Sequence, residues 1–168
     1  MVNLRKIVAV ALLLASLISL FSCSTRRTHC EISIDLPSSF TDYDAGKSFD
    51  LAYSDGSIIV GILRLSHDAC IADSVPTTLS AEKFAEFYRS RSAGVSDLGE
   101  VETYGDVAYF TYTLEADNGG KYYYMPTFYT SPFAYFLISF ITDYNFREGA
   151  KDDIFKYIDS VRLNNNVE

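Results

Sequence analysis

The stretch Phe133-Ala134-Tyr135-Phe136-Leu137-Ile138-Ser139-Phe140-Ile141 decides the fold. It is apolar at odd and even positions alike, and a strand of that kind is covered on both faces. Upstream of its end, residues 98–140 read as four consecutive strands. The breaks are Gly105-Asp106, Asp117-Asn118-Gly119-Gly120 and Ser131-Pro132. Short strands separated by such turns favour an antiparallel meander.

Helical spacing appears on either side of the meander. Residues 78–93 predict a first helix, with Ser80 as N-cap and Leu79 and Phe84 at the staple positions. Its apolar stripe is Ala81, Phe84, Phe87 and Tyr88, and Gly94 is expected to end it. Residues 145–161 predict a last helix. Asn145 and Glu148 make a capping-box pattern, and Ala150, Ile154, Ile158 and Val161 share one face. Toward the N-terminus, Asp55-Gly56 joins residues 48–53 to 57–65 as a hairpin. Residues 31–36 alternate strictly, as a half-buried strand does, and Pro37 stops them. The chain holds 13 Tyr and 12 Phe but no Trp. Most of the tyrosines are expected on half-buried sheet faces, where ring and hydroxyl meet different media.

The order strand, hairpin, helix, meander, helix predicts an α+β fold: a single antiparallel β-sheet of about six to seven strands with two main helices packed on it. Three segments carry a family resemblance. Ile32-Ser33-Ile34-Asp35-Leu36-Pro37-Ser38-Ser39-Phe40 resembles the opening strand, proline and aromatic of the PsbP-like fold, which includes the DcrB-like bacterial lipoproteins. Leu79-Ser80-Ala81-Glu82-Lys83-Phe84-Ala85-Glu86-Phe87-Tyr88 resembles its first helix. Asp153-Ile154-Phe155-Lys156-Tyr157-Ile158-Asp159-Ser160-Val161-Arg162-Leu163 resembles its closing helix. The resemblance spans residues 30–163. It implies an assembly factor, chaperone or extrinsic subunit and brings no catalytic residues with it.

The N-terminus speaks of destination. Arg5 and Lys6 precede an uncharged apolar run over residues 7–20, and Leu20-Phe21-Ser22-Cys23 closes it. This is the pattern of a secretory signal. The run is short for a membrane-spanning helix, which needs about 20 apolar residues. Its end resembles the lipobox of bacterial lipoproteins. That implies cleavage before Cys23, a thioether lipid on its sulfur and an acyl chain on its amine, which together anchor firmly. Ser24 is not the acidic retention signal of the enterobacterial type. By resemblance the expected place is the outer membrane, facing the periplasm, ahead of the inner membrane. The expected organisation is a signal over 1–22, a lipidated Cys and polar tether over 23–29, one domain over 30–163 and a frayed tail over 164–168.

Composition narrows the partners. The precursor carries 14 basic and 22 acidic side chains, a net charge of −8, and loss of Arg5 and Lys6 makes the mature chain more acidic still. Nucleic acid wants a basic stripe, so it is not an expected partner. The lipid, not the protein surface, must hold the membrane. With Cys23 assigned to lipid, Cys30 and Cys70 remain as an even pair in an exported chain, where disulfides persist. If their strands pair antiparallel, the start of one meets the end of the other, and a Cys30–Cys70 bridge forms. The alternative is two unrelated buried thiols.

No constellation names a reaction. His67 is the one histidine outside the tether, and no Gly-x-Ser-x-Gly elbow accompanies it. His67, Asp68, Cys70 and Asp73 could form a metal site only without the spaced second pair of structural zinc sites. Asp42-Tyr43-Asp44-Ala45-Gly46 lacks the third acid of a calcium loop, and Tyr53 stands where the bidentate Glu belongs. Asp152-Asp153 reads as an exposed helix face, and Gly119-Gly120 as a turn. Neither a catalytic residue, a cofactor nor a metal is therefore expected. Two readings stand: a lipid-anchored envelope module that binds or assembles an envelope protein, or a small-molecule or metal-binding envelope protein, possible as an enzyme. A flat or grooved sheet face with exposed tyrosine favours the first, and an enclosed polar cavity the second.

Overall fold

Residues 134–143 form one strand, and the molecule is arranged about it. A computed structural model describes residues 24–92, 94–116 and 119–164. The leader, Cys23 and residues 165–168 of the expected tail lie outside the described residues. In chain order the strands are β1 (Ser24–His29), β2 (Ile32–Pro37), β3 (Thr41–Asp42), β4 (Leu51–Ser54), β5 (Ile58–Ser66), β6 (Glu102–Tyr104), β7 (Val107–Tyr109), β8 (Tyr112–Glu115), β9 (Lys121–Thr130), β10 (Ala134–Asp143) and β11 (Arg162–Leu163). The helices are α1 (His67–Ala72), α2 (Ala81–Ser90) and α3 (Arg147–Ser160), the last entered through a 3-10 turn, Tyr144–Phe146.

Strand β10 is central, between β5 and β9, and residues 134–142 are all buried. The main sheet runs β3-β4-β5-β10-β9-β7-β6, with β8 also on β9, and its pairings are antiparallel. The period-2 alternation sorts the side chains into two cores. Phe136, Ile138 and Phe140 face Ile154 and Ile158 of α3 and Ile32, Ile34 and Leu36 of β2. Tyr135 and Leu137 face Phe84 and Ala85 of α2 and Cys70 of α1. The α+β class and the layers on both faces are as the sequence predicts.

The meander is also as predicted, with one interruption. Ala108 pairs with Phe128 and Tyr109 with Thr127, then Tyr112 with Tyr124. Phe110 and Thr111 therefore pass Pro126 and Met125. Proline has no N–H to give to a neighbouring strand, so the ladder breaks there. The Thr111 carbonyl instead accepts from Gly99 N–H at 2.8 Å.

Other expectations need correction. The first predicted strand, β2, does not join the main sheet. It forms a separate three-stranded sheet, β1-β2-β11. Alternation shows that one face is buried but not against which layer, so a single sheet was not the only solution. The polar segment expected as a loose tether is β1, paired with β2 from Ser24↔Pro37 to His29↔Ile32. An edge strand is held by its main chain and tolerates polar side chains. Here Arg26 adds a two-pronged grip on Asp35 (2.8 and 3.1 Å), and Arg27 donates to the Phe40 carbonyl at 2.8 Å. Asn164, expected to fray, donates its N–H to the Glu31 carbonyl.

Helix ends differ in detail. Ser80 caps α2 as predicted, accepting from Lys83 N–H. The helix stops at Ser90, short of Gly94, because the Ser90 and Ser92 hydroxyls bond back to the Phe87 and Tyr88 carbonyls. The cap before the last helix is Asp143, not Asn145. Its carboxylate accepts from Asn145 N–H and Nδ2 at 2.8 and 3.0 Å. Ala150, Ile154 and Ile158 are buried and Val161 partly so. Helix α1 follows β5 and is not among the elements expected from the sequence; Ser66 caps it, accepting from Ala69 N–H.

The expected Cys30–Cys70 bridge is absent, and both are free thiols. Its premise was that the strand starting after Cys30 pairs with the one ending before Cys70. Strand β2 pairs with β1 and β11, and β5 with β4 and β10. Cys30 lies exposed in the β1–β2 turn at φ +50°, while Cys70 is buried in α1.

Candidate functional site

The site is a cleft on the face of the sheet that carries α1 and α2. Helix α2 crosses β7 and β9, held by Phe84, which stacks on Tyr135 at 4.2 Å and meets Phe128 edge-on at 5.6 Å. Helix α1 hangs from the end of β5. The segment between the helices is pinned by one hydroxyl: Tyr135 accepts from Leu79 N–H and donates to the Pro76 carbonyl, both at 2.8 Å. With the helices so fixed, a space of about 650 Å³ opens between them and β8.

Its walls are Leu65, Phe84, Phe87, Tyr88, Tyr112 and Leu114. Two charges stand on the lining, Arg91 and Asp73. The Arg91 guanidinium lies 4.0 Å from the Phe87 ring centroid, within cation–π range. Cys70 lies in the same lining. Burial pushes its thiol up, with the Asp73 charge adding to the effect, and Sγ–H points to the Leu65 carbonyl at 3.9 Å. Burial likewise pushes the Tyr88 and Tyr112 phenols up. Each of these groups therefore favours its neutral form, the reverse of what a thiolate or phenolate nucleophile requires. The cleft can receive an apolar body and offer one cation and one anion to it.

No protein-family model matches the chain, and no curated protein sequence matches it either. Solved structures do. The solution structure of cyanobacterial PsbP (CyanoP) from Synechocystis sp. PCC 6803 superposes with a TM-score of 0.52 at 14% identity, over 85% of this chain and 94% of that one. The fold is PsbP-like. A crystal structure from Bacteroides thetaiotaomicron VPI-5482 matches with a TM-score of 0.52 at 12% identity, over 83% of this chain but 47% of that one, so the chain spans about half of that protein. At such identities the likeness concerns the fold alone.

In this PsbP-like domain the residues singled out from sequence are dispersed. His67 packs its ring 5.3 Å from that of Tyr135, while Asp68 and Asp73 face solvent and Cys70 the core. Among the described residues no group of three or more His, Cys, Asp and Glu is placed to hold a metal. Asp44 accepts from Gly46 N–H at 2.9 Å and makes a turn. Asp153 pairs with Lys156 on the exposed side of α3. Tyr122, Tyr123 and Tyr124 are half-buried on β9, as expected, and Tyr124 stacks on Tyr112 at 4.9 Å. Sequence reasoning missed the cleft because it missed α1. Ser66 followed by an acid at Asp68 was the available signal for that helix.

Proposed function

We propose that the chain is a lipid-anchored, non-catalytic binding module of the bacterial cell envelope, and that its α1–α2 cleft receives an apolar segment of an envelope protein. The observation that carries this reading is the cleft. Its walls are apolar and aromatic, and the thiol and phenols on it are held toward their neutral forms. The anchoring half of the reading rests on the apolar leader and Cys23, which stands directly before β1.

A photo-crosslinking residue in place of Phe87, in protein carried by its own bacterium, tests the cleft. Crosslinks to one envelope protein that vanish on Leu114→Arg support the reading. Crosslinks unaffected by Leu114→Arg, or none at all, sink it. Detergent partitioning tests the anchor, since Cys23→Ala must then move the domain to the aqueous phase. The volume of the cleft also lies in the range of small-molecule sites. Native mass spectrometry of the purified protein separates that second reading, which requires a bound mass lost with Leu114→Arg.

A further inference from the structure

We infer that the pole of the domain where β1 begins is a membrane-contacting face, and that Phe146 and Tyr43 enter the lipid interface there. The inference rests on the anchoring reading and adds an orientation to it. Strand β1 is in register with β2 from its first residue, Ser24↔Pro37. The Cα of a lipidated Cys23 is then one spacing, about 3.8 Å, from that of a residue paired in the fold. No residue intervenes between anchor and strand, so whatever surrounds Ser24 is brought to the headgroups.

The pairing identifies those surroundings. Pro37 closes a turn with Phe40, and Thr41 pairs with Ser54 beside the tip of the β4–β5 hairpin. The hairpin's far arm starts at Ile58, which pairs with Thr142. Asp143 and the 3-10 turn ending in Phe146 follow directly. The end of β2, the hairpin tip, the end of β10 and the start of α3 thus form one pole.

Two of the large exposed hydrophobic side chains of the described residues stand on it. Phe146 is 67% exposed and Tyr43 45%, and both border one recess together with Ile59 and Ile141. Phe146 is the last residue of the 3-10 turn that Asp143 caps, so its ring has no capping role. An aromatic ring at the water–lipid boundary explains the choice, because that is where such rings partition. Exposed Phe133 and Ile71 lie at the other pole: Ala134 pairs with Ser66, and the Phe133 carbonyl accepts from His67 N–H.

Charge sets the kind of surface. Asp42, Asp44, Asp55 and Asp143 stand on this pole, and the cations there are engaged: Arg26 by Asp35, Arg27 by the Phe40 carbonyl, Lys121 by Asp97 and the Tyr144 ring, and Arg147 by Glu148 and the same ring. The insertion is therefore apolar and suits a zwitterionic lipid surface, not an anionic one.

The chain has no Trp, so Phe146→Trp gives a single reporter. The experiment uses full-length lipidated protein in phosphatidylcholine vesicles, plain or brominated on the acyl chains. An inserted ring lies about 5–10 Å into the interface, within reach of the bromines, and its emission should fall about twofold. Phe133→Trp should be unquenched. Quenching absent at position 146, or equal at both positions, in protein that floats with the vesicles overturns the orientation alone. Failure to float, or flotation unchanged by Cys23→Ala, overturns the anchor and the orientation with it.

Discussion

Arg64 grips Glu31 through two parallel hydrogen bonds, Nε to Oε2 and Nη2 to Oε1, each 3.0 Å long. The pair bridges the two sheets, since Arg64 belongs to β5 and Glu31 directly precedes β2. The Glu31 side chain is only 4% exposed, whereas Arg64 is 27% exposed. Removing the arginine leaves a carboxylate buried without its counter-ion; removing the glutamate leaves a guanidinium that can still reach water. Arg64→Ala should thus cost about 3 kcal/mol and Glu31→Ala about 2 kcal/mol, read by urea unfolding. Equal costs would remove the asymmetry.

The same pair sets the acid limit. The Arg64 hydrogen bonds hold the Glu31 carboxyl below its usual range, against the upward push of burial. Its folded value is depressed, so its contribution is fully present above the unfolded value. It is lost as pH falls through the folded one. Melting temperature should decline below about pH 4.5, the ordinary glutamate range, and decline less steeply in Glu31→Ala.

At the alkaline end the phenols take over. Burial pushes Tyr109 up to about 12, and the hydrogen bond it donates to Glu102 at 2.7 Å adds to the shift. Burial is the first cause for Tyr157 as well, with the Asp153 and Asp55 charges adding to it, also up to about 12. These values are raised above the unfolded one near 10, so the stabilisation is present below about pH 10 and disappears as pH rises toward 12. A phenolate absorbance titration should show a late group of tyrosines, and Glu102→Gln should bring one of them earlier. A single phase at the ordinary phenol value contradicts this.

Tyr135→Phe should loosen the cleft without emptying the core. The ring that stacks on Phe84 remains, but Leu79 N–H and the Pro76 carbonyl lose their common partner. The expected loss is about 1–3 kcal/mol in thermal unfolding. Hydrogen exchange should rise in residues 73–80 and stay unchanged in α3.

At Gly61 a missing side chain admits another. A Cβ there would lie 2.5–2.6 Å from the Phe49 ring, so that ring packs flat on the β5 backbone. Gly61→Ala should cost about 1–3 kcal/mol through overpacking. Adding Phe49→Ala should recover part of it, and a strictly additive double mutant would refute the contact.

What was legible in the sequence was what local pattern determines. The run about Leu137 shows burial on both faces, because a central strand needs no polar position. Ser80 before Phe84, and Asp55-Gly56 between two alternating stretches, mark their elements within a few residues. What was not legible depended on partners far away in the chain. Nothing in Ser24-Thr25-Arg26-Arg27-Thr28-His29 requires a strand; the free edge of β2 does. Nothing in Cys30 or Cys70 reveals that their strands belong to different sheets. The cleft shares this character, since Arg91, Asp73 and Tyr112 meet only because α1 and α2 are docked on the same face.

Strand β2 has the first strand of the described chain, β1, on one side and the last, β11, on the other, with Arg162↔Ser33 and Leu163↔Ile32 in register. This has a consequence for the order of events during biogenesis. The small sheet cannot close until residue 163 has left the ribosome, and Ile32, Ile34 and Leu36 have no complete cover before then. Early collapse is thereby discouraged for most of synthesis. The two ends of the described chain therefore finish the fold together.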